Sequence, residues 1–214
     1  MSTNARLKCA ILGASGHGKI VAEVAELNGY HSIVFFDDRW PALSCIEGWE
    51  VVGGTEDLID TALNYDNVAV AIGCNETRLS KYSLLLEKGA NCTPLVHPSA
   101  IVSRYADLGE GSVVMAGAIV NSFSRIGKAC IINTSSTVDH DCIIADGVHI
   151  SPGGHLAGAV QVGRASWLGI GSNVKQLIKI GSNAVVAAGA TVIRDVLDNQ
   201  TVVGVPAKPI SCKE

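Results

Sequence analysis

The sequence predicts two architectures in one chain: an alternating α/β segment of roughly 93 residues, then a solenoid of short parallel strands. Three observations predict this. Short apolar runs alternate with helically spaced ones up to about residue 93. From Val96 onward an aliphatic residue recurs at every sixth position without a break. Glycine is abundant at 23 residues while aromatics make up only 5%, a composition for tight turns and small, regular side chains.

Composition narrows the function classes before any motif is read. The 214 residues allow one large domain or two modest ones with real cores. Hydrophobic residues at 48% against 17% charged exclude a disordered chain. A net charge of -4 offers no basic footprint for nucleic acid and no polybasic membrane signal. No apolar run reaches the length of a membrane span. The first residues, MSTNARLKCAILGASGHGK, read as having no signal peptide, because the apolar stretch is short and leads into a glycine turn. A cytoplasmic protein is expected. Its seven cysteines (9, 45, 74, 92, 130, 142 and 212) contain no CxxC pair. They are expected to be reduced, mostly buried thiols, with no metal site.

In the first segment, LKCAILGA reads as a buried strand. SGHGKIVAEVAELNGY follows with helical spacing that puts Ile20, Val21, Val24 and Leu27 on one face. Ser15 or Gly16 starts this helix and Gly29 ends it. HSIVFFDD is the second strand, closed by two acids. EDLI starts a short helix, NVAVAIG is the third strand, and ETRLSKYSLLLEKG is another amphipathic helix. Alternation of this kind predicts a parallel, Rossmann-like sheet over residues 1–93.

The second segment, 94–214, steps by six through Val96, Val102, Leu108, Val114, Val120, Ile126 and on to Val192. All seventeen positions are Val, Leu or Ile. Four residues beyond each, the side chain is usually small, as at Ser112, Ser124, Cys130, Ser136, Cys142 and Ser166; Val148, Val160 and Ile178 depart from this. This is a hexapeptide β-helix repeat. One hexad forms one flat side of a prism and three close a coil. The aliphatic residue points inward, and the small one sits near a corner. Cys130 and Cys142 are thereby packing residues. VVGVPAKPI reads as a terminal cap, and the final SCKE as a frayed tail.

Within the repeat, NTSSTVDHDC places His140 between Asp139 and Asp141. Two acids exclude burial in the coil, where unpaired charge is costly. On the residues alone, the triplet reads either as a solvated corner or as a general base with its orienting carboxylate. GASGHG, Gly13 to Gly18, is a strand-to-helix glycine turn that lets backbone approach a phosphate. Its order is GxxGxG, not the GxGxxG of a dinucleotide fold, which argues against an NAD-dependent enzyme.

Taken together and in order, GASGHGK, FFDD, AIGCNETR, NTSSTVDHDC and VVGVPAK resemble a bacterial family. These are the nucleotide-sugar N-acetyltransferases that modify the C4 amine of a 4-amino-4,6-dideoxy sugar for surface glycans: the bacillosamine, perosamine and viosamine enzymes. Sialic-acid O-acetyltransferases are related to them. The resemblance implies a left-handed β-helix, a homotrimer, acetyl-CoA as cosubstrate and no metal. It also implies roles. His140 is the base and Asp141 the carboxylate that tunes it. Ser15, Gly16, His17, Asp37, Asp38 and Gly73 bind the nucleotide sugar. His149, Ile170 and Ala188 contact acetyl-CoA, and Gly158 offers a backbone N–H to the oxyanion. His155 reads as a surface or interface histidine, His97 as structural and His31 as exposed. Trp167 shapes either a subunit interface or a coenzyme wall. The competing readings are O-acetylation of sialic acid or a related sugar, and a non-catalytic sugar-nucleotide scaffold.

Overall fold

The computed structural model describes residues 7–210. The segment Ser211–Glu214, with Cys212 and the expected frayed tail, lies outside the described residues. The chain divides into two compact units between Leu95 and Val96.

The first unit holds β1 (Lys8–Leu12), α1 (Gly16–Leu27), β2 (Ser32–Phe36), β3 (Cys45–Ile46), β4 (Trp49–Gly53), α2 (Thr55–Thr61), β5 (Asn67–Val70) and α3 (Asn75–Glu87). The strand order is β3-β4-β2-β1-β5, parallel except for the β3–β4 pair. β1 is flanked by β2 and β5, so the order reverses at its carboxyl end, where open α/β sheets bind ligands. The β3–β4 hairpin is absent from the sequence reading. Its signal was Glu47-Gly48 between the short segments Cys45–Ile46 and Trp49–Gly53, with Glu47 at φ +50°.

The buried face of α1 differs from expectation. Gly18, Val21, Ala22, Val24 and Ala25 are buried, whereas Ile20 and Leu27 are about half exposed. The small residues set the helix close to the sheet. A Cβ on Gly18 would run into the Gly13 carbonyl oxygen and come within 2.9 Å of the Phe35 ring. At that separation the face centres on Val21 and Ala25, and the larger Ile20 and Leu27 lie to its sides.

The second unit is a parallel β-helix of three faces. Two-residue strands pair with the strand eighteen residues on, as in Ile131↔His149 and Ile132↔Ile150. Three hexads therefore close one coil. The first face contains the strands at Val113–Val114, Ile131–Ile132, His149–Ile150, Trp167–Leu168 and Val185–Val186. The second contains Ile101–Val102, Ile119–Val120, Thr137–Val138, His155–Leu156, Asn173–Val174 and Thr191–Val192. The third contains Asp107–Leu108, Arg125–Ile126, Ile143–Ile144, Gln161–Val162 and Lys179–Ile180. Thr201–Val203 and Lys208–Pro209 close the first face as an antiparallel pair.

The aliphatic residues from Val114 to Val192 are all buried and form one continuous core; Val96, Val102 and Leu108 are partly buried against it. The small slot has a polar duty as well. The Ser166 hydroxyl donates to the Gly181 carbonyl at 2.6 Å and accepts the Ala184 N–H at 3.0 Å. Cys130 Sγ donates to the Ala145 carbonyl at 3.2 Å, and Cys142 Sγ to that of Ala157 at 3.3 Å. At these positions the small hydroxyl or thiol bonds corner backbone, while Ala118, Ala184 and Ala190 fill the same slot by size alone. Four of the six described cysteines, Cys9, Cys92, Cys130 and Cys142, are buried, in line with the expectation of mostly buried thiols; Cys45 and Cys74 are exposed.

Each rung leans on the next, so truncation in mid-stack is costly. Leu168→Ala, at a fully buried position, is expected to cost about 2–5 kcal/mol. A urea titration should show a lower midpoint at unchanged slope.

Candidate active site

His140 stands at the corner between the second and third faces, just past the strand Thr137–Val138. Asp139 caps this corner: its Oδ1 accepts the His140 backbone N–H at 2.8 Å and the Asn121 side-chain amide at 2.9 Å. These two donors, in that order, hold its carboxyl below the usual carboxylate range. Asp141 takes the left-handed conformation at φ +60°, tolerated by aspartate. That backbone turns its carboxylate back, so Oδ2 lies 2.7 Å from His140 Nδ1. The imidazole is 59% exposed. Gly158, one rung on, seats the ring: a Cβ there would lie 2.6 Å from both Cε1 and Nε2.

This geometry fixes the tautomer. In the neutral ring Nδ1–H donates to Asp141 and the Nε2 lone pair is left for a substrate proton. The Asp141 hydrogen bond is the main cause of a raised His140 pKa, assisted by the charges of Asp139 and Asp141. A base works only when neutral, so activity should rise with pH through this raised pKa. Asp141→Asn removes the main cause. It is expected to move the acid limb of kcat to lower pH and to lower the plateau at least about tenfold. A pH–rate profile of the variant beside the wild type checks both.

The remaining β-helix candidates gather elsewhere. Ile170 and Ala188 line a cavity of about 330 Å³ with Ser151, Pro152, Trp167 and Ala187, at the corner between the first and second faces. The Trp167 indole N–H donates to the Ser151 hydroxyl at 2.7 Å. His149, one rung before Trp167 on the first face, stacks on it with centroids 6.1 Å apart and planes 15° from parallel. His149 Nε2 is 3.1 Å from the Asn133 amide nitrogen. Trp167 thus belongs to the same surface as His149, Ile170 and Ala188. The sequence reading passed over Asn133, whose signal was its place opening NTSSTVDHDC. Gly158 lies against His140 rather than in this cavity. His155 lies on the second face, 3.0 Å from the Thr137 hydroxyl, along a groove shared with Asn121, Asp139 and Asn173. His97 accepts from the Ser99 backbone, and His31 is exposed.

In the first unit, Gly13 at φ +110° turns the chain from β1 towards α1, and Ser15 is the N-cap of α1. Ser15 and Gly16 are exposed. His17 Nε2 is buried without a hydrogen-bond partner. Burial first, then the nearby Arg78 charge, bring the His17 pKa down to about 4, so the ring is neutral. Asp37 braces the glycine turn. Its Oδ2 accepts the Ala14 N–H at 2.8 Å and its Oδ1 the Arg39 Nε at 2.7 Å, while Arg39 reaches the Ala14 carbonyl. The Arg39 bond is the main cause of an Asp37 pKa of about 2. Asp38 Oδ1 accepts the Thr55 N–H at 2.7 Å, at the start of α2. Gly73 is exposed past β5, and its carbonyl accepts from Arg78.

A family model, the PglD N-terminal domain, matches residues 8–85. The GDP-perosamine N-acetyltransferase of Escherichia coli O157:H7 is 29% identical over 173 residues, which are 78% of this chain and 77% of that protein. The solved acetyltransferase domain of PglB from Neisseria gonorrhoeae FA1090, in complex with acetyl coenzyme A, is 40% identical. It aligns over 96% of this chain and 100% of its own, with a TM-score of 0.92. PerB from Caulobacter crescentus, in complex with CoA and GDP-perosamine, is 36% identical over 97% of this chain and 99% of its own, at a TM-score of 0.91. This chain belongs to the nucleotide-sugar N-acetyltransferases of the hexapeptide-repeat class. Like other members of the class, it is an acetyl-CoA-dependent sugar acetyltransferase, and its coil is a left-handed β-helix. Among the described residues no helix is long and apolar enough to cross a membrane.

Proposed function

We propose that the enzyme transfers acetyl from acetyl-CoA to the C4 amine of a nucleotide-linked 4-amino-4,6-dideoxy sugar. The observation that carries this reading is the 2.7 Å His140 Nδ1–Asp141 Oδ2 pair, with the ring seated on Gly158 and exposed to solvent. Acetyl-CoA supplies the acyl group: the amine nitrogen bonds to the acetyl carbon and the CoA thiolate leaves. His140 Nε2 takes the amine proton, and Asp141 stabilises the imidazolium that results. The apolar cavity at Trp167, Ile170 and Ala188 fits the uncharged arm of CoA, and His149 extends that surface. The first unit is the nucleotide-sugar-binding domain, through Ser15, Gly16, His17, Asp38 and Gly73, with Asp37 bracing the turn. The second is the acetyltransferase domain.

The working form is a homotrimer. The base and the coenzyme cavity lie at two different edges of one prism, so a second copy is needed to bring a base to a coenzyme. The unpaired, exposed Cys45 and Cys74 suit the reducing cytosol.

The test is release of CoA thiol with UDP-, dTDP- and GDP-linked 4-amino-4,6-dideoxy sugars. A blank without acceptor is required, because Cys45 and Cys74 also react with thiol reagents. Release with one nucleotide sugar supports the reading and names the nucleotide. Release with none of the amines, but with hydroxyl acceptors such as sialic acid, overturns it in favour of O-acetylation.

A further inference from the structure

An exposed aromatic ladder runs down the same edge of the prism as the base. Tyr105, Phe123 and Asp141 occupy equivalent corner positions in successive coils, eighteen residues apart. The Phe123 N–H donates to the Tyr105 carbonyl at 3.0 Å, and the Asp141 N–H to that of Ser122 at 3.2 Å. The two rings stack with centroids 5.5 Å apart and planes 23° from parallel. Phe123 is 62% exposed and Tyr105 53%. Arg104 is held over Tyr105: its guanidinium lies 4.8 Å from the ring centroid and donates to the phenol oxygen at 2.7 Å. Ser103 fixes the lower turn through the Tyr105 N–H and the Ser122 hydroxyl.

Two large exposed rings stacked side by side on the prism call for an occupant. Position decides which. In the proposed trimer, with its prisms side by side and parallel, a neighbour's His149, Ile170 and Ala188 stand at the same heights as this chain's own, in rungs after His140, so the coenzyme side of the base is the C-terminal one. The acceptor approaches from the N-terminal side. One rung below the base is Phe123 and two rungs below, roughly 10 Å away, are Tyr105 and Arg104. A nucleotide-linked amino sugar has the matching order: amine, pyranose ring, then diphosphate.

We infer that Phe123 and Tyr105 form the acceptor subsite, receiving the carbon face of the pyranose, with Arg104 reaching its diphosphate. This rests on the nucleotide-sugar reading above. Aromatic faces take up C–H surfaces, and a 6-deoxy sugar offers more carbon surface than its hydroxylated counterpart. Guanidinium groups pair with phosphate oxygens.

The experiment measures steady-state kinetics of the full chain and of three variants, Phe123→Ala/Tyr105→Ala, Phe123→Leu and Arg104→Gln, with light scattering to follow assembly. The double variant should raise KM for the nucleotide sugar about tenfold while KM for acetyl-CoA stays at the wild-type value. Phe123→Leu, which keeps apolar bulk without a ring, should fall between. The KM increase in Arg104→Gln should vanish with an acceptor lacking the diphosphate. An unchanged nucleotide-sugar KM in the double variant overturns the inference. So does dissociation of the assembly, which would make the rings a contact between copies. If the wild type itself acetylates no nucleotide-linked amine, the parent reading fails, and the inference fails with it.

Discussion

His140→Ala is expected to lower kcat by about 10²–10⁴-fold while KM for acetyl-CoA stays near the wild-type value. The split follows from the two edges of the prism. Within one chain His140 is not among the residues that line the cavity at Trp167, Ile170 and Ala188, so removing the imidazole leaves that surface intact. What is lost is the Nε2 lone pair that takes the amine proton. The side chain is exposed and carries no core packing, so the variant should fold and assemble as before. Its residual rate should rise with pH as more of the amine becomes neutral without help. A variant with wild-type kcat would reduce the Asp-His-Asp triplet to a solvated corner.

The second large effect is expected from a single methyl group. Gly158→Ala places a Cβ 2.6 Å from Cε1 and Nε2 of His140. Gly158 itself does not require glycine for its backbone, since it is not among the positive-φ positions. The exposed imidazole is free to rotate away, so the clash costs little stability. Rotation breaks the 2.7 Å bond to Asp141 and re-aims Nε2. We expect kcat to fall on the order of 10²-fold, as for a catalytic group displaced by about an ångström. The acid limb should move to lower pH, because the main cause of the raised pKa is gone. The denaturant midpoint should stay near the wild-type value. Loss of kcat together with gross unfolding would show that Gly158 serves the coil rather than the base.

The β-helix was legible because its rule is strictly periodic. An inward aliphatic every sixth residue leaves little freedom about which side chain faces the core, and each inward residue from Val114 to Val192 is buried. The first unit was less legible. Its helix α1 docks through Gly18, Ala22 and Ala25, and hydrophobic spacing gives such small residues too little weight against Ile20 and Leu27. The Cys45–Gly53 hairpin is short and carries mixed polarity, so a period-two pattern had no room to develop.

By itself the sequence determined the two architectures and the eighteen-residue coil, since these follow from periodicity. The cost of burying charge placed His140 outside the coil but left it either a solvated corner or a base, and only the family resemblance favoured the base. Only the tertiary structure decided what lies beside what. Residues eighteen apart become neighbours only once the coil closes. This puts Gly158 against the His140 ring, His149 against Trp167, and Phe123 one rung below Asp141. It also sets His140 and the cavity at Trp167, Ile170 and Ala188 on two different edges, because every six residues turn the chain to a new face.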